Sequence, residues 1–87
     1  MKKSDLSERL FEFAVRCIKY LRTLPYDTEY KIIRYQLIKS STSAGANYEE
    51  SQGATSKADF HNKVKISLRE MKESNCWLKI IKAISNP

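Results

Sequence analysis

The side chains able to do chemistry in this 87-residue chain are few and scattered. His61 is the single histidine. It falls beside Phe60 in the first turn of a helical segment, with no cysteine or carboxylate cluster at ligand spacing, and Asp59 is too near in sequence to share its helix face. Ser40-Ser41-Thr42-Ser43 supplies hydroxyls, but nothing nearby resembles an activating base or an oxyanion site. A Gly-rich phosphate loop is absent. Cys17 and Cys76 lack metal-ligand spacing, and Cys17 lies on an apolar helical face where a thiol behaves as a small hydrophobe. Glu70 and Glu73 raise the question of a metal. A carboxylate-bridged bundle centre needs Glu-x-x-His on facing helices, and that motif is missing. Ion pairing suits Glu70 better, with Lys63 one heptad away or with Arg9 or Arg16 from the first helix. The expectation is therefore no catalytic residue, no metal and no cofactor.

The basic residues carry more. Sixteen Lys and Arg against ten Asp and Glu give a net charge of +6. Lys65, Arg69, Lys72 and Lys79 recur within about a quarter-turn of one helix, and Arg9, Arg16 and Lys19 join them from another. Residues 1–24 carry +3, residues 25–55 carry −1 and residues 56–87 carry +4. Such faces suit RNA or DNA phosphates without sequence preference and with strong salt dependence. The competing reading is a solvated face on a structural or protein-interaction adaptor. No base-reading motif is present.

These residues must be positioned by helices, since three segments keep helical spacing and none alternates as a strand does. The first is expected over about residues 4–24. Leu6, Leu10, Phe13, Ala14, Cys17, Leu21 and Leu24 form its apolar face, Ser4 is a candidate N-cap, and Leu24-Pro25 is its stop. The second spans about residues 28–51. Tyr30, Ile33, Leu37, Ser41, Ala44 and Tyr48 share one face, while Ile32, Tyr35, Thr42 and Ala46 fall opposite, which predicts a central helix with neighbours on both sides. Its middle is almost all small residues. Ser40, Ser41, Ala44 and Gly45 predict close helix approach, which would compensate the cost of about 1 kcal/mol for an interior glycine. Gly53 is expected to close this helix in the left-handed conformation, and Ser56-Lys-Ala-Asp59 to open the third as a variant capping box.

The third helix is expected over about residues 56–84, with Phe60, Val64, Ser67, Leu68, Met71, Asn75 and Leu78 as its main face. Ile66, Glu70, Trp77, Ile81 and Ile84 form a second stripe, which predicts a subunit interface or cover by a fourth helix. The whole is expected to be one all-α domain, an antiparallel up-down bundle of the four-helix type with three long helices in residues 1–87 and the fourth missing after Asn86-Pro87. Met1-Lys2-Lys3 leads into charge and not into an apolar signal segment. No apolar run reaches the length of a membrane span, so a cytoplasmic protein is expected.

One stretch resembles a known family. Gln36-Leu37, Ser40-Ser41-Thr42-Ser43, Gly45-Ala46-Asn47 and Glu50 look like the signature of the small four-helix-bundle proteins encoded in bacterial 23S rRNA intervening sequences. Ala54, Ser56 to Phe60, Leu68, Glu70, Glu73 and Trp77-Leu78 continue the likeness, as do Asp5-Leu6, Phe13-Ala14 and Leu24-Pro25. The resemblance implies an antiparallel bundle that forms homopentameric rings. It extends to the accessory variability protein of diversity-generating retroelements, which implies a reverse transcriptase and nucleic acid as partners. Tyr48 stands where that pattern has a smaller aliphatic residue.

Overall fold

A computed structural model describes residues 4–85, all in three helices and their connections: α1 (Ser4–Leu21), α2 (Thr28–Ser51) and α3 (Lys57–Ser85). The helices lie side by side in a body of 48 × 22 × 16 Å. Antiparallel order is fixed by contacts at the ends. The Tyr30 hydroxyl lies 3.0 Å from that of Ser85, and Lys63 pairs with Glu50 at 2.7 Å. Both α1 and α3 pack on α2, whereas among the described residues no Cα of α1 lies within 8 Å of one in α3. The second helix is therefore central, as its composition predicts.

The way it is central differs from the two-faced pattern. Ile32 and Tyr35 are 58% and 63% exposed, and Thr42 and Ala46 are exposed as well. Both neighbours sit instead on the two flanks of the Tyr30–Leu37–Ala44 face. At about 100° per residue, Ser40 and Ala44 turn toward α3, and Ser41 and Gly45 toward α1. Ser40 Oγ and Ser74 Oγ meet at 2.7 Å, and Ser67 Oγ donates to the Ala44 carbonyl at 2.7 Å. On the other flank, a β-carbon placed on Gly45 would stand 3.6 Å from Leu10 Cβ and 3.8 Å from the Leu10 carbonyl carbon. The small residues thus bring two neighbouring helices close at once, and the buried serines find partners as buried hydroxyls must.

The core consists of Cys17, Leu21, Tyr30, Ile33, Leu37 and Ile81, with Phe13, Leu24, Ile38, Trp77 and Leu78 packed against it. Leu21, Leu37 and Ile81 are almost wholly buried, each contributing about 1.5–3 kcal/mol of apolar burial. The core-facing line of α3 is Ser67, Ser74 and Ile81. This line is rotated from the expected main face: Phe60 is 40% and Leu68 56% exposed, and Asn75 is exposed too. Small serines let α3 approach through a line that hydrophobicity alone ranks as polar. Ile81 accordingly belongs to the core and not to an exposed stripe, while Trp77 is half-buried against it.

The helix ends follow local chemistry. Ser56 Oγ accepts from the Asp59 N–H at 3.0 Å, forming the expected cap of α3. Asp27, in extended conformation, precedes α2 without a side-chain cap. The cap expected of Ser4 lies outside the described side chains. At the end of α2 the chain tightens through Gln52 N–H to Glu49 C=O, Gly53 N–H to Glu50 C=O and Ala54 N–H to Ser51 C=O. Gly53 does not adopt the left-handed conformation expected of it, and no described residue has a positive φ. Successive three-residue hydrogen bonds close the helix without that conformation.

Two packing predictions follow from these contacts. Ala44→Leu, at a fully buried site beneath Ser67, should destabilise the fold by about 1–3 kcal/mol in urea titration followed by circular dichroism. Gly45→Ala adds only ordinary van der Waals contact with Leu10 and should stabilise by up to about 1 kcal/mol. A loss above that size would show the α1–α2 approach to be tighter than drawn.

Candidate nucleic-acid interface

Arg9, Arg16 and Lys19 on α1, and Lys65, Arg69, Lys72 and Lys79 on α3, are all exposed. The fold does not gather them into one patch. Arg9 and Arg16 border a hollow between α1 and α3 whose apolar walls are Leu6, Leu10, Phe13 and Met71. Lys72 and Lys79 flank Cys76 and Ile80 along a shallow depression on α3. Lys65 and Arg69, by their spacing, lie on the side of α3 turned away from Ser67 and Ser74.

What the fold gathers is charge at one end. Antiparallel packing puts the C-terminal part of α1, the N-terminal part of α2 and the C-terminal part of α3 together. Residues 16–34 and 72–85 hold eight basic residues (Arg16, Lys19, Arg22, Lys31, Arg34, Lys72, Lys79 and Lys82) against Asp27, Glu29 and Glu73, a net of +5. The other described residues hold six basic and seven acidic, a net of −1. Helix-dipole preference accounts for Lys19 and Lys82, in the last turns of α1 and α3. It does not account for the rest.

Arg34 organises this end. Its Nη2 donates to the carbonyls of Leu21, Leu24 and Pro25 at 2.9, 3.3 and 3.3 Å, adding to the turn in which the Leu24 N–H donates to the Leu21 carbonyl at 3.2 Å. The guanidinium carbon stands 4.7 Å from the centre of the Tyr26 ring, and the buried Nη1 has no hydrogen-bond partner. The negative face of the ring supplies the attraction that a hydrogen bond does not. The chain pattern gave no sign of this clamp, because its acceptors are main-chain atoms of a turn that only the fold brings to Arg34.

Glu70 is half-buried, and the expected pairing with Lys63 or with α1 does not form. The one salt bridge among the described residues joins Lys63 to Glu50 across α2 and α3, because Lys63 faces the end of α2. That partner raises the Lys63 pKa through its hydrogen bond and charge. Glu73 accepts from Trp77 Nε1 at 3.0 Å. His61 is exposed beside Phe60, and no group of His, Cys, Asp or Glu suited to a metal ion occurs among the described residues. Burial pushes the Cys17 thiol upward in pKa, opposed by its hydrogen bond with Ser41 and by the charge of Arg16.

A second feature was hidden in the spacing of α1. Phe11, Val15 and Ile18 lie off its main apolar face and, with Ala14, Thr42 and Ala46, line an outer groove between α1 and α2 of about 420 Å³. Phe11 is 67% exposed. Of the second stripe on α3, Ile66, Glu70 and Trp77 are half-buried and Ile84 is exposed. No described helix is long and apolar enough to cross a membrane.

Comparison with known proteins gives a family. The model of the 23S rRNA-intervening sequence protein family matches residues 2–86. A crystal structure of a protein with unknown function from the S23 ribosomal protein family of Bacteroides thetaiotaomicron is similar, with a TM-score of 0.78 and 36% identity over 86% of this chain and 69% of that one. No curated protein matches the chain. Neither the family nor this structure carries an enzymatic designation.

The clamp generates its own test. Arg34→Lys keeps the charge but loses the planar fork and the stack on Tyr26. Loss of charge-assisted hydrogen bonds of this kind should cost about 1.5–3 kcal/mol, read as a lower thermal midpoint. An unchanged midpoint would mean that the turn after α1 holds itself.

Proposed function

The chain belongs to the 23S rRNA-intervening sequence protein family, and from that membership we propose a non-enzymatic bundle protein that associates with the backbone of RNA or DNA. The observation that carries this reading is the uneven charge, +5 at one end of the molecule against −1 over the other described residues. Phosphate neutralisation by surface Lys and Arg needs no catalytic group and no pocket, only a field of one sign. Arg16, Lys19, Lys72 and Lys79 belong to that end; Arg9, Lys65 and Arg69 extend the basic surface along α1 and α3. The description of the structural neighbour as a member of a ribosomal protein family points toward RNA.

Self-association belongs to the same proposal. The outer α1–α2 groove around Phe11, Val15 and Ile18 and the uncovered parts of the Ile66–Trp77–Ile84 edge of α3 leave apolar surface open within the described chain. Covering them between copies would repeat one weak basic patch and raise avidity. A ring of five copies, as the resemblance implies, is one such arrangement. Work in the cytoplasm fits the proposed partner. A pure adaptor role would use the same apolar surfaces and leave the charge idle.

Binding of fluorescent structured RNA should be measurable at low salt and weaken steeply as salt rises. The triple change Arg16→Glu, Lys72→Glu and Lys79→Glu, all within the basic end, should abolish it while the helical circular dichroism stays unchanged, since all three side chains are exposed. Absence of binding at low salt, or binding indifferent to salt, would leave the adaptor role standing. Sedimentation at tens of micromolar, a range set by mass action, tests self-association, and a strictly monomeric protein would remove it.

A further inference from the structure

The basic end carries aromatic rings as well as charge. Tyr26 is 78% exposed, Tyr35 63% and Tyr20 41%, and all three lie in or beside residues 16–34. Tyr26 is also held in place. Arg34 is anchored by three carbonyls of the α1–α2 turn and lies under the Tyr26 ring at 4.7 Å. One face of the ring is therefore backed by a cation while the side chain as a whole stays open to solvent. Lys31, Arg34 and Tyr35 follow at three- and four-residue steps and so share one side of α2. Arg22 and Lys31 add exposed charge from the end of α1 and the start of α2. The carboxylates of Asp27 and Glu29 are the acidic groups of this region, and their place at the start of α2 is the one helix-dipole preference favours.

Exposed rings interleaved with Lys and Arg have a definite chemical use. Every base has a π-face, so aromatic side chains stack on unpaired bases without reading sequence, while neighbouring cations hold the phosphates. A duplex hides those faces within its stack and offers only its backbone. We propose that the α1–α2 end is a stacking platform for single-stranded RNA or DNA, in which Tyr26 and Tyr35 take base faces and Arg22 and Lys31 hold the adjoining phosphates. This rests on the nucleic-acid reading above and narrows it to unpaired strands. The contact of Tyr26 with the anchored Arg34 distinguishes this end, since a ring placed in advance loses less entropy on binding.

The test compares fluorescein-labelled oligo-U and oligo-dT of about twelve nucleotides, within the usual site sizes, with blunt duplexes of equal length at low salt, by anisotropy. Single strands should bind more tightly than duplexes. Tyr26→Ala and Tyr35→Ala should each weaken single-strand binding by about five- to 150-fold and leave duplex binding unchanged. Tyr26→Phe, which keeps the ring, should bind like the parent. Far-UV circular dichroism of each variant reports that the helices persist. If the tyrosine variants bind single strands normally while the Arg16, Lys72 and Lys79 changes abolish binding, the platform is overturned and backbone association stands. Equal losses on single strands and duplexes would also overturn it. If no nucleic acid binds at low salt, both readings fall together. A preference for oligo-U over oligo-dT, or the reverse, identifies which strand chemistry the platform serves.

Discussion

The fold depends on one constraint: α2 must admit two helices on adjacent flanks. A helix surface usually meets one neighbour with interlocking large side chains, at axial separations of about 8–10 Å. Here Ser40, Ala44, Ser67 and Ser74 keep the α2–α3 contact narrow, and Ser41 and Gly45 do the same toward α1. Large apolar residues fill only what remains between the three helices, chiefly Leu21, Leu37 and Ile81. The hydroxyls that small size requires would be costly if left unpaired. They are paired with one another, with carbonyls one turn back, or, for Ser67, with the Ala44 carbonyl across the interface.

The same constraint decides what is left open. Because α1 and α3 each pack on α2 and no Cα of one lies within 8 Å of a Cα of the other among the described residues, the side between them is a recess. Phe13 and Met71 line it near one end, and Phe13, Tyr20 and Leu78 farther along. The outer face of α1 and α2 adds Phe11, Val15 and Ile18. A chain of this length has little surplus apolar surface to expose without consequence. These faces explain why self-association is part of the functional reading and why no enclosed pocket is.

Antiparallel order has an electrostatic effect that no single helix contains. The segments with excess Lys and Arg at the end of α1 and the end of α3 are far apart in sequence, yet they meet at one end of the bundle. The acidic pair Glu49-Glu50 and the acidic start of α1 lie toward the other end. Among the described residues the charge is therefore polarised along the long axis, with Arg34 stacked on Tyr26 within the basic end. That arrangement links the packing to the proposed contact with nucleic acid.

Much of this was legible in the chain. The three helices, the Ser56 cap and the small-residue centre of α2 follow from local spacing and local hydrogen bonding, which the sequence expresses directly. By contrast, α1 ends at Leu21 in a turn, three residues before the stop expected at Leu24-Pro25. Other features needed the fold. The α3 face that packs is Ser67–Ser74–Ile81 and not the more hydrophobic Phe60–Leu68 side, because the fit depends on the small partner residues of α2, dozens of positions away. Lys63 pairs with Glu50 and not with Glu70, and Arg34 finds carbonyls in a neighbouring turn, for the same reason. Periodicity ranks the faces of a helix by composition. Which face is buried, and which charges become neighbours, is decided by the shape of the surface it meets, and only the tertiary structure supplies that surface.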